Sequence, residues 1–157
     1  MGAPDAKEID IALVTAMPEI RAGEFVRKEP LVWVSGQDHA AYNENPVPLA
    51  LLPPGNLYRD VTLEALDRMG RPWRLACISG LQAAVFSGFA ISVVAKSALV
   101  PGMRILGRQE CLPELPEIAL VLHRSAGQSS AAAGCLADFV VANLLRNNAA
   151  QAAMRVS

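Results

Sequence analysis

Charged residues are scarce in this sequence, and the two signs nearly cancel. Lys and Arg number 14 and Asp and Glu 15 among 157 residues, so charged residues make up 18% and the formal net charge is −1. Aromatic residues contribute only 5%. Proteins that bind nucleic acids use clustered Lys and Arg for phosphates and aromatic rings for stacking on bases. We therefore do not expect this chain by itself to bind DNA or RNA.

Metal-binding and catalytic patterns are also missing. The sequence has three cysteines and two histidines, and their spacing contains no CxxC pair and no zinc-finger pattern. It contains no GxSxG, HExxH or GxxxxGK[ST] motif, and no acid and base can be paired. We expect reduced cysteines, no metal, no cofactor and no enzymatic activity.

A secretion signal and a long apolar run are absent as well. Pro, Gly or a charge interrupts every apolar run before the roughly 18 residues that a membrane span needs. Lys96 interrupts the longest of these runs, Ser87 to Val100. The N-terminal residues include acidic ones and do not form a basic region followed by an apolar stretch. These features predict a cytoplasmic protein with no membrane partner.

Length and apolar patterning predict one compact α/β domain, or a domain with two small lobes. The aliphatic run Glu8–Thr15 is typical of a strand that is buried on both faces. Strands and helices then alternate, which favours helices packed over a mostly parallel sheet. The remaining predicted strands are 25–34, 48–52, 73–78, 90–94, 103–106 and 118–123, and the predicted helices are 57–69, 81–87 and a long one containing residues 132–144.

Polar residues before the helices are candidate caps, because a short side chain can accept a hydrogen bond from an N–H of the first turn. Asn56 is the predicted N-cap of the first helix and Ser79 that of the second. Ser129 or Ser130 is the predicted cap of the long last helix. Residues 147–157 have little to bury, and we expect them to fray.

Several segments, taken in order, resemble the effector-binding domain of LysR-type transcriptional regulators. Glu8–Thr15 (EIDIALVT) resembles that family's G-E-L-D-L-A-L-V strand, and Arg27–Val34 (RKEPLVWV) resembles its R-x-E-P-L-V-W-V strand. Pro48–Gly55 (PLALLPPG) is similar to the opening strand and loop of the second lobe. Gly80–Val85 (GLQAAV) is similar to the G-L-Q-A-A-V helix, and Ile118–Arg124 to the strand that returns to the first lobe. The resemblance covers nearly the whole chain.

The resemblance implies an α/β fold of the type 2 periplasmic-binding-protein-like class, two-lobed and N-terminally truncated. Residues 1–34 and 117–146 would form a partial first lobe, residues 35–116 the second lobe, and residues 147–157 a C-terminal tail. The family's helix-turn-helix, linker helix and start of the first lobe are not in this sequence. The strand 9–15 would then have one open edge, so we expect self-association or low stability.

The resemblance also implies a function. A small-molecule effector, expected to be anionic, would bind in the crevice between the lobes and shift the population of lobe arrangements. An attached dimeric helix-turn-helix region would then bind its operator differently. The expected partners are the effector, further copies of the chain, and DNA only through a region absent from this sequence. A stand-alone solute-binding protein of the same fold is the alternative.

Candidate ligand contacts lie where strands are followed by helices, because helix N-termini offer free N–H groups to anions. Each has a structural alternative, since a turn, a cap or a strand-end hydroxyl can simply satisfy backbone groups. A lysine there can equally be a surface residue whose stem covers apolar atoms. The candidates are Thr15, Pro53, Gly55, Asn56, Ser79, Gly80, Gln82 and Lys96.

Overall fold

The computed structural model describes residues 9–20, 22–125 and 130–153. The chain divides into two compact units: unit 1 comprises residues 1–28 and 118–157, and unit 2 comprises residues 29–117. The strands are β1 Ile11–Ala16, β2 Glu24–Gly36, β3 Val47–Leu51, β4 Trp73–Ile78, β5 Ser92–Ala95, β6 Met103–Leu106 and β7 Glu117–Arg124. The helices are α1 Leu57–Met69, α2 Leu81–Phe86 and α3 Ala131–Ala153.

Unit 1 is a small sheet covered by α3. In the strand order, β7 lies between β1 and β2, and β1 pairs antiparallel with β7 along its whole length. Val26 of β2, Leu122 of β7 and Ala137 of α3 form the buried core, with Ile11 and Leu144 packed against it. One face of the long helix therefore holds the three strands together.

The prediction for the first strand is wrong in two respects. The aliphatic run indicates a strand of a parallel sheet that is buried on both faces, but β1 is antiparallel to its partner. Its residues are mostly half-buried, and Leu13 is 43% exposed. Among the described residues β7 is the only strand that pairs with β1. An aliphatic run is thus also compatible with an edge strand when a helix covers one of its faces.

Unit 2 is built around β3, whose five residues are all buried. β3 pairs in parallel with β4, and α1 connects the two strands along the chain. A parallel bridge between Leu49 and Ile91 brings the chain that follows α2 to the other side of β3. Two successive strand–helix units thus place the ends of β3 and β4 and the starts of α1 and α2 close together.

The predicted mostly parallel sheet is wrong. β3 and β4 are parallel, but β1 is antiparallel to β7, and both β5 and β6 are antiparallel to β2. The reason is the long strand β2, along which the later strands return without further helical crossovers. The α/β class itself is confirmed, because the described residues contain three α-helices in addition to these strands.

Helix α1 begins and ends where the sequence predicts. The Asn56 side chain accepts a hydrogen bond of 2.9 Å from the backbone N–H of Tyr58, so the predicted N-cap is confirmed. Gly70 ends the helix with φ of 70°, the left-handed conformation that glycine adopts without a steric cost. The buried face of the helix includes Val61 and Leu66.

The prediction that Ser79 caps α2 is wrong. Gly80 is the N-cap residue, with φ of 63°, and no side chain makes a cap hydrogen bond. Ser79 itself has φ of 66°, outside the extended region that a capping serine normally adopts. Two consecutive left-handed residues therefore turn the chain from β4 into α2.

Helix α3 is longer than the apolar pattern suggests. Its start is capped by Ser130, whose Oγ accepts a 3.1 Å hydrogen bond from the N–H of Ala133; Ser129 lies outside the described residues. The backbone stays helical to Ala153, so the fraying predicted for the tail is wrong for residues 147–153. The Ala-rich composition of that segment explains the result, because Ala has the highest helix propensity. No helix in the described parts of the chain is long and apolar enough to span a membrane.

Candidate functional site

The carboxyl ends of β3 and β4 bring two of the predicted ligand-binding turns together in unit 2. The strands are parallel neighbours, so both end at the same edge of their sheet. The N–H of Ser79, just after β4, donates a 3.1 Å hydrogen bond to the carbonyl of Leu51, the last residue of β3. The turn of residues 53–56 and the turn of residues 79–80 therefore begin side by side.

The first turn leads into α1. Pro53 and Gly55 are exposed, and Gly55 has φ of 86° with no other atom close to where a Cβ would lie. The Asn56 side chain accepts a hydrogen bond from one N–H of the first turn of α1. The other free N–H groups at the start of this helix can donate to other acceptors. Arg59 donates through Nη1 to the carbonyl of Leu52 at 3.0 Å, and this bond ties the start of the helix to the end of β3.

The second turn leads into α2 and carries backbone strain. A non-glycine residue with positive φ costs roughly 1–2 kcal/mol, and Ser79 is exposed with φ of 66°. Gln82 lies in the first turn of α2 and is also exposed. Strain of this kind is concentrated at binding and catalytic sites, so the observed geometry makes this turn a candidate ligand contact.

A small depression lies next to the first turn. Its volume is about 10 Å³, which is room for about one water molecule. It is lined by Tyr58, Arg59, Thr62 and Ser92 together with apolar residues of β3, α2 and β5. The Thr62 hydroxyl donates to the carbonyl of Tyr58 at 2.5 Å, and the Ser92 hydroxyl donates to the carbonyl of Ala50 at 2.7 Å.

Tyr58, which lines this depression, and Glu29 of β2 were not singled out by the sequence. Burial, and then the negative charge of Glu29, raise the pKa of Tyr58 above its ordinary value. Glu29 is 3% exposed, and its Oε1 accepts a 3.0 Å hydrogen bond from the backbone N–H of Ser97. An alternating polar and apolar pattern places Glu29 on a strand but gives no sign of its burial.

The other two predicted contacts lie apart from these turns. Lys96 begins the 3₁₀ turn Lys96–Ala98 directly after β5 and is half-buried. Thr15 lies near the end of β1 in unit 1, opposite Leu120 of β7. The structure therefore groups Pro53, Gly55, Asn56, Ser79, Gly80 and Gln82 at the ends of β3 and β4, with Lys96 elsewhere in unit 2 and Thr15 in unit 1.

The described residues contain no group of three or more His, Cys, Asp or Glu side chains arranged to hold a metal ion. Cys77, Cys111 and Cys135 are free thiols. The turns at residues 53–56 and 79–80 carry exposed backbone and polar side chains, which suit binding of a small polar molecule.

Comparison with known proteins assigns the chain to a family. The model of the LysR substrate binding domain matches residues 5–144. The chain belongs to this family. This LysR substrate-binding domain includes both units and all the strands described above, and its α/β, periplasmic-binding-protein-like fold is the one that the resemblance implies.

Individual relatives agree with the family assignment. The HTH-type transcriptional regulator DgdR of Burkholderia cepacia is 30% identical over 122 residues, which are 75% of this chain and 42% of DgdR. The chain spans about two fifths of the length of the curated regulators it matches.

Solved structures agree on the fold. The regulatory domain of CcmR from Synechocystis PCC6803, in complex with 2-PG, has a TM-score of 0.63 at 19% identity, covering 87% of this chain and 74% of that one. The effector-binding domain of QuiR, in complex with shikimate, has a TM-score of 0.58 at 14% identity, covering 87% and 72%.

Proposed function

We propose that this LysR substrate-binding domain senses a small anionic effector at the ends of β3 and β4. The observation that carries the proposal is the hydrogen bond from Ser79 to Leu51, which brings the turn before α1 and the strained turn before α2 to one edge. The N-terminal N–H groups and the positive dipole end of α1 favour a carboxylate or a similar anion at that edge.

The proposed contacts follow from this placement. The backbone at Pro53, Gly55 and Asn56 lines one side of the ligand, and Ser79, Gly80 and Gln82 line the other. Lys96, elsewhere in unit 2, and Thr15, in unit 1, remain separate predictions. The regulators CcmR and QuiR were solved with 2-PG and shikimate, respectively, and these complexes support a small polar molecule as the class of effector.

The proposed role in the whole regulator is a population shift. The effector stabilises one conformation of the domain, and that conformation changes how an attached dimeric helix-turn-helix region binds its operator. The curated relative DgdR is named an HTH-type transcriptional regulator, which supports the DNA-binding part of this role. The proposed regulator is cytoplasmic and acts as a homo-oligomer. Units 1 and 2 then correspond to the partial first lobe and the second lobe of the predicted fold.

Titration of the purified chain with small carboxylates, shikimate among them, tests the binding site. We expect NMR shifts to concentrate at residues 53–56 and 79–82. Ser79→Ala should weaken the best-binding acid by about 0.5–1.5 kcal/mol, the net contribution of one hydrogen bond. Ser87→Ala, at the exposed opposite end of α2, is the matched control and should bind like the parent chain. Ligand-induced shifts confined to other residues would refute the site.

DNA binding supplies the second test. The chain carries a net charge of −1, so by itself it should not retard an operator fragment in a sequence-selective, salt-sensitive way. The same domain joined to a helix-turn-helix region should bind the operator with an affinity that the effector changes. Selective operator binding by the 157-residue chain alone would contradict this division of roles.

A further inference from the structure

Arg59 is a half-buried cation in the first turn of α1, close to the turn of residues 53–56. Its Nη1 donates a 3.0 Å hydrogen bond to the carbonyl of Leu52, the residue that follows β3. The carbonyl of Leu51, one residue earlier, accepts the N–H of Ser79. The guanidinium of Arg59 and the turn before α2 are therefore bound to successive carbonyls at the same strand end.

A cation is electrostatically unfavourable at this place in a helix. The helix dipole places partial positive charge at the N-terminus, where negative groups are stabilising. The carbonyl of Leu52 is neutral, so it uses one N–H of Arg59 and leaves the charge unbalanced. In the described parts of the chain no carboxylate forms an ion pair with Arg59. Asp60, the next residue, is exposed, and successive residues of a helix do not face each other.

Arg59 also brings its charge to the depression beside α1. Among the residues that line this depression, Arg59 is the one with a charged side chain. The hydroxyls of Thr62 and Ser92 both donate to backbone carbonyls, so their protons are already used. Leu81, the first residue of α2, lines the same depression. A positive charge with unused N–H donors therefore lies where the starts of α1 and α2 meet.

We infer that Arg59 recognises the negative charge of the effector: its guanidinium pairs with a carboxylate of the ligand at the ends of β3 and β4. A guanidinium has five N–H donors and can bind a carboxylate through two parallel hydrogen bonds, and Leu52 occupies only one donor. The inference rests on the proposed effector site. It adds the residue by which the domain selects an acid over a neutral molecule of the same shape.

Butyrate and butyramide are the probes, because they have the same shape and number of heavy atoms and differ in charge. In the parent chain, NMR should show that butyrate shifts the side-chain Nε–H resonance of Arg59 and that butyramide leaves it nearly in place. This measurement uses the unaltered protein, so it does not depend on the folding of a variant. If saturating butyrate shifts the backbone of residues 53–56 and 79–82 but not the Arg59 side chain, the inference is overturned and the proposed function stands.

Two variants on one helix measure what the charge contributes to affinity. Arg59→Met keeps an apolar stem and removes the charge and the donors. Arg68→Met is the matched control, because Arg68 lies in the last turn of α1, is exposed and pairs with Glu64 at 2.6 Å. We expect the parent chain and Arg68→Met to bind butyrate about tenfold more tightly than butyramide, the lower end of the range for a hydrogen bond to a charged group. Arg59→Met should bind the two compounds about equally.

The results separate the role of Arg59 from the existence of the site. A preference for butyrate that is as large in Arg59→Met as in the parent chain would overturn the inference, while shifts at residues 53–56 and 79–82 would keep the proposed function intact. Absence of shifts at those residues with both compounds, in the parent chain and in both variants, would instead overturn the proposed site and with it the role of Arg59.

Discussion

Replacing Ser79 by glycine should make the domain more stable. Ser79 has φ of 66°, and an L residue pays roughly 1–2 kcal/mol for the left-handed conformation. Glycine avoids that cost. It also lowers the free energy of unfolding by about 0.4–1 kcal/mol, because a glycine makes the unfolded chain more flexible. The net gain expected for Ser79→Gly is therefore about 0.5–1 kcal/mol, or an increase in Tm of about 2–4 °C for a gain of 1 kcal/mol in a chain of this size.

Urea unfolding of two glycine variants measures this strain directly. Ser87 lies at the other end of the same helix with φ of −78°, and its hydroxyl donates a 3.2 Å hydrogen bond to the carbonyl of Ala84. Ser87→Gly therefore loses backbone entropy and this bond without relieving strain, and it should destabilise the domain by about 1–2 kcal/mol. The two substitutions should thus have opposite signs. If Ser87→Gly is destabilised as expected but Ser79→Gly is no more stable than the parent chain, the turn at Ser79 is not strained.

A third variant separates strain from capping. Ser79→Ala keeps the Cβ and hence the left-handed cost, and no cap hydrogen bond is lost, because no side chain caps α2. Its free energy of unfolding should stay within about 0.5 kcal/mol of the parent value. A loss near 1 kcal/mol would show that the hydroxyl has a structural partner after all.

Three further perturbations test the helices and the open edge. Asn56→Ala should lower the free energy of unfolding by about 1 kcal/mol, because the Asn56 side chain caps α1; an unchanged urea midpoint would contradict the cap. Leu66→Ala should cost about 2–5 kcal/mol, since Leu66 is fully buried, whereas Met69→Ala, 52% exposed on the same helix, should stay within about 0.5 kcal/mol. Sedimentation over a concentration series should reveal self-association of the chain, and Leu13→Lys on the exposed part of β1 should reduce it; a parent chain that stays monomeric at all concentrations would show that β1 is not a pairing surface.

The elements with strong local signals were predictable from sequence. α1 is bounded by Asn56 and Gly70. The Asn side chain is suited to cap the start of a helix, and the glycine backbone is suited to the left-handed conformation at its end. β3 is followed by the Pro-Pro-Gly sequence of residues 53–55, which favours a turn, so the end of the strand is marked locally. These signals also located the turn at residues 53–56, which is half of the candidate site.

Features that depend on distant contacts were not predictable. Glu29 is buried because it meets Ser97 from 68 residues away, and no local pattern records that contact. Ser79 followed by Gly80 looks like a cap before a helix, since serine is a preferred N-cap residue. Only the backbone shows that both residues are left-handed, a conformation that serine rarely adopts.

The division of the chain into units has a consequence for the order in which the protein folds. Unit 2 is one continuous segment, residues 29–117, whereas unit 1 is completed only by residues after 117. At about 5–20 residues per second, β1 leaves the ribosome some seconds before its partner β7 is synthesised. Unit 2 can assemble during that interval, while the aliphatic strand β1 stays unpaired and exposed to aggregation. Slower translation between β1 and β7 would lengthen this exposure, so the yield of folded protein should respond to codon choice in the segment that encodes unit 2.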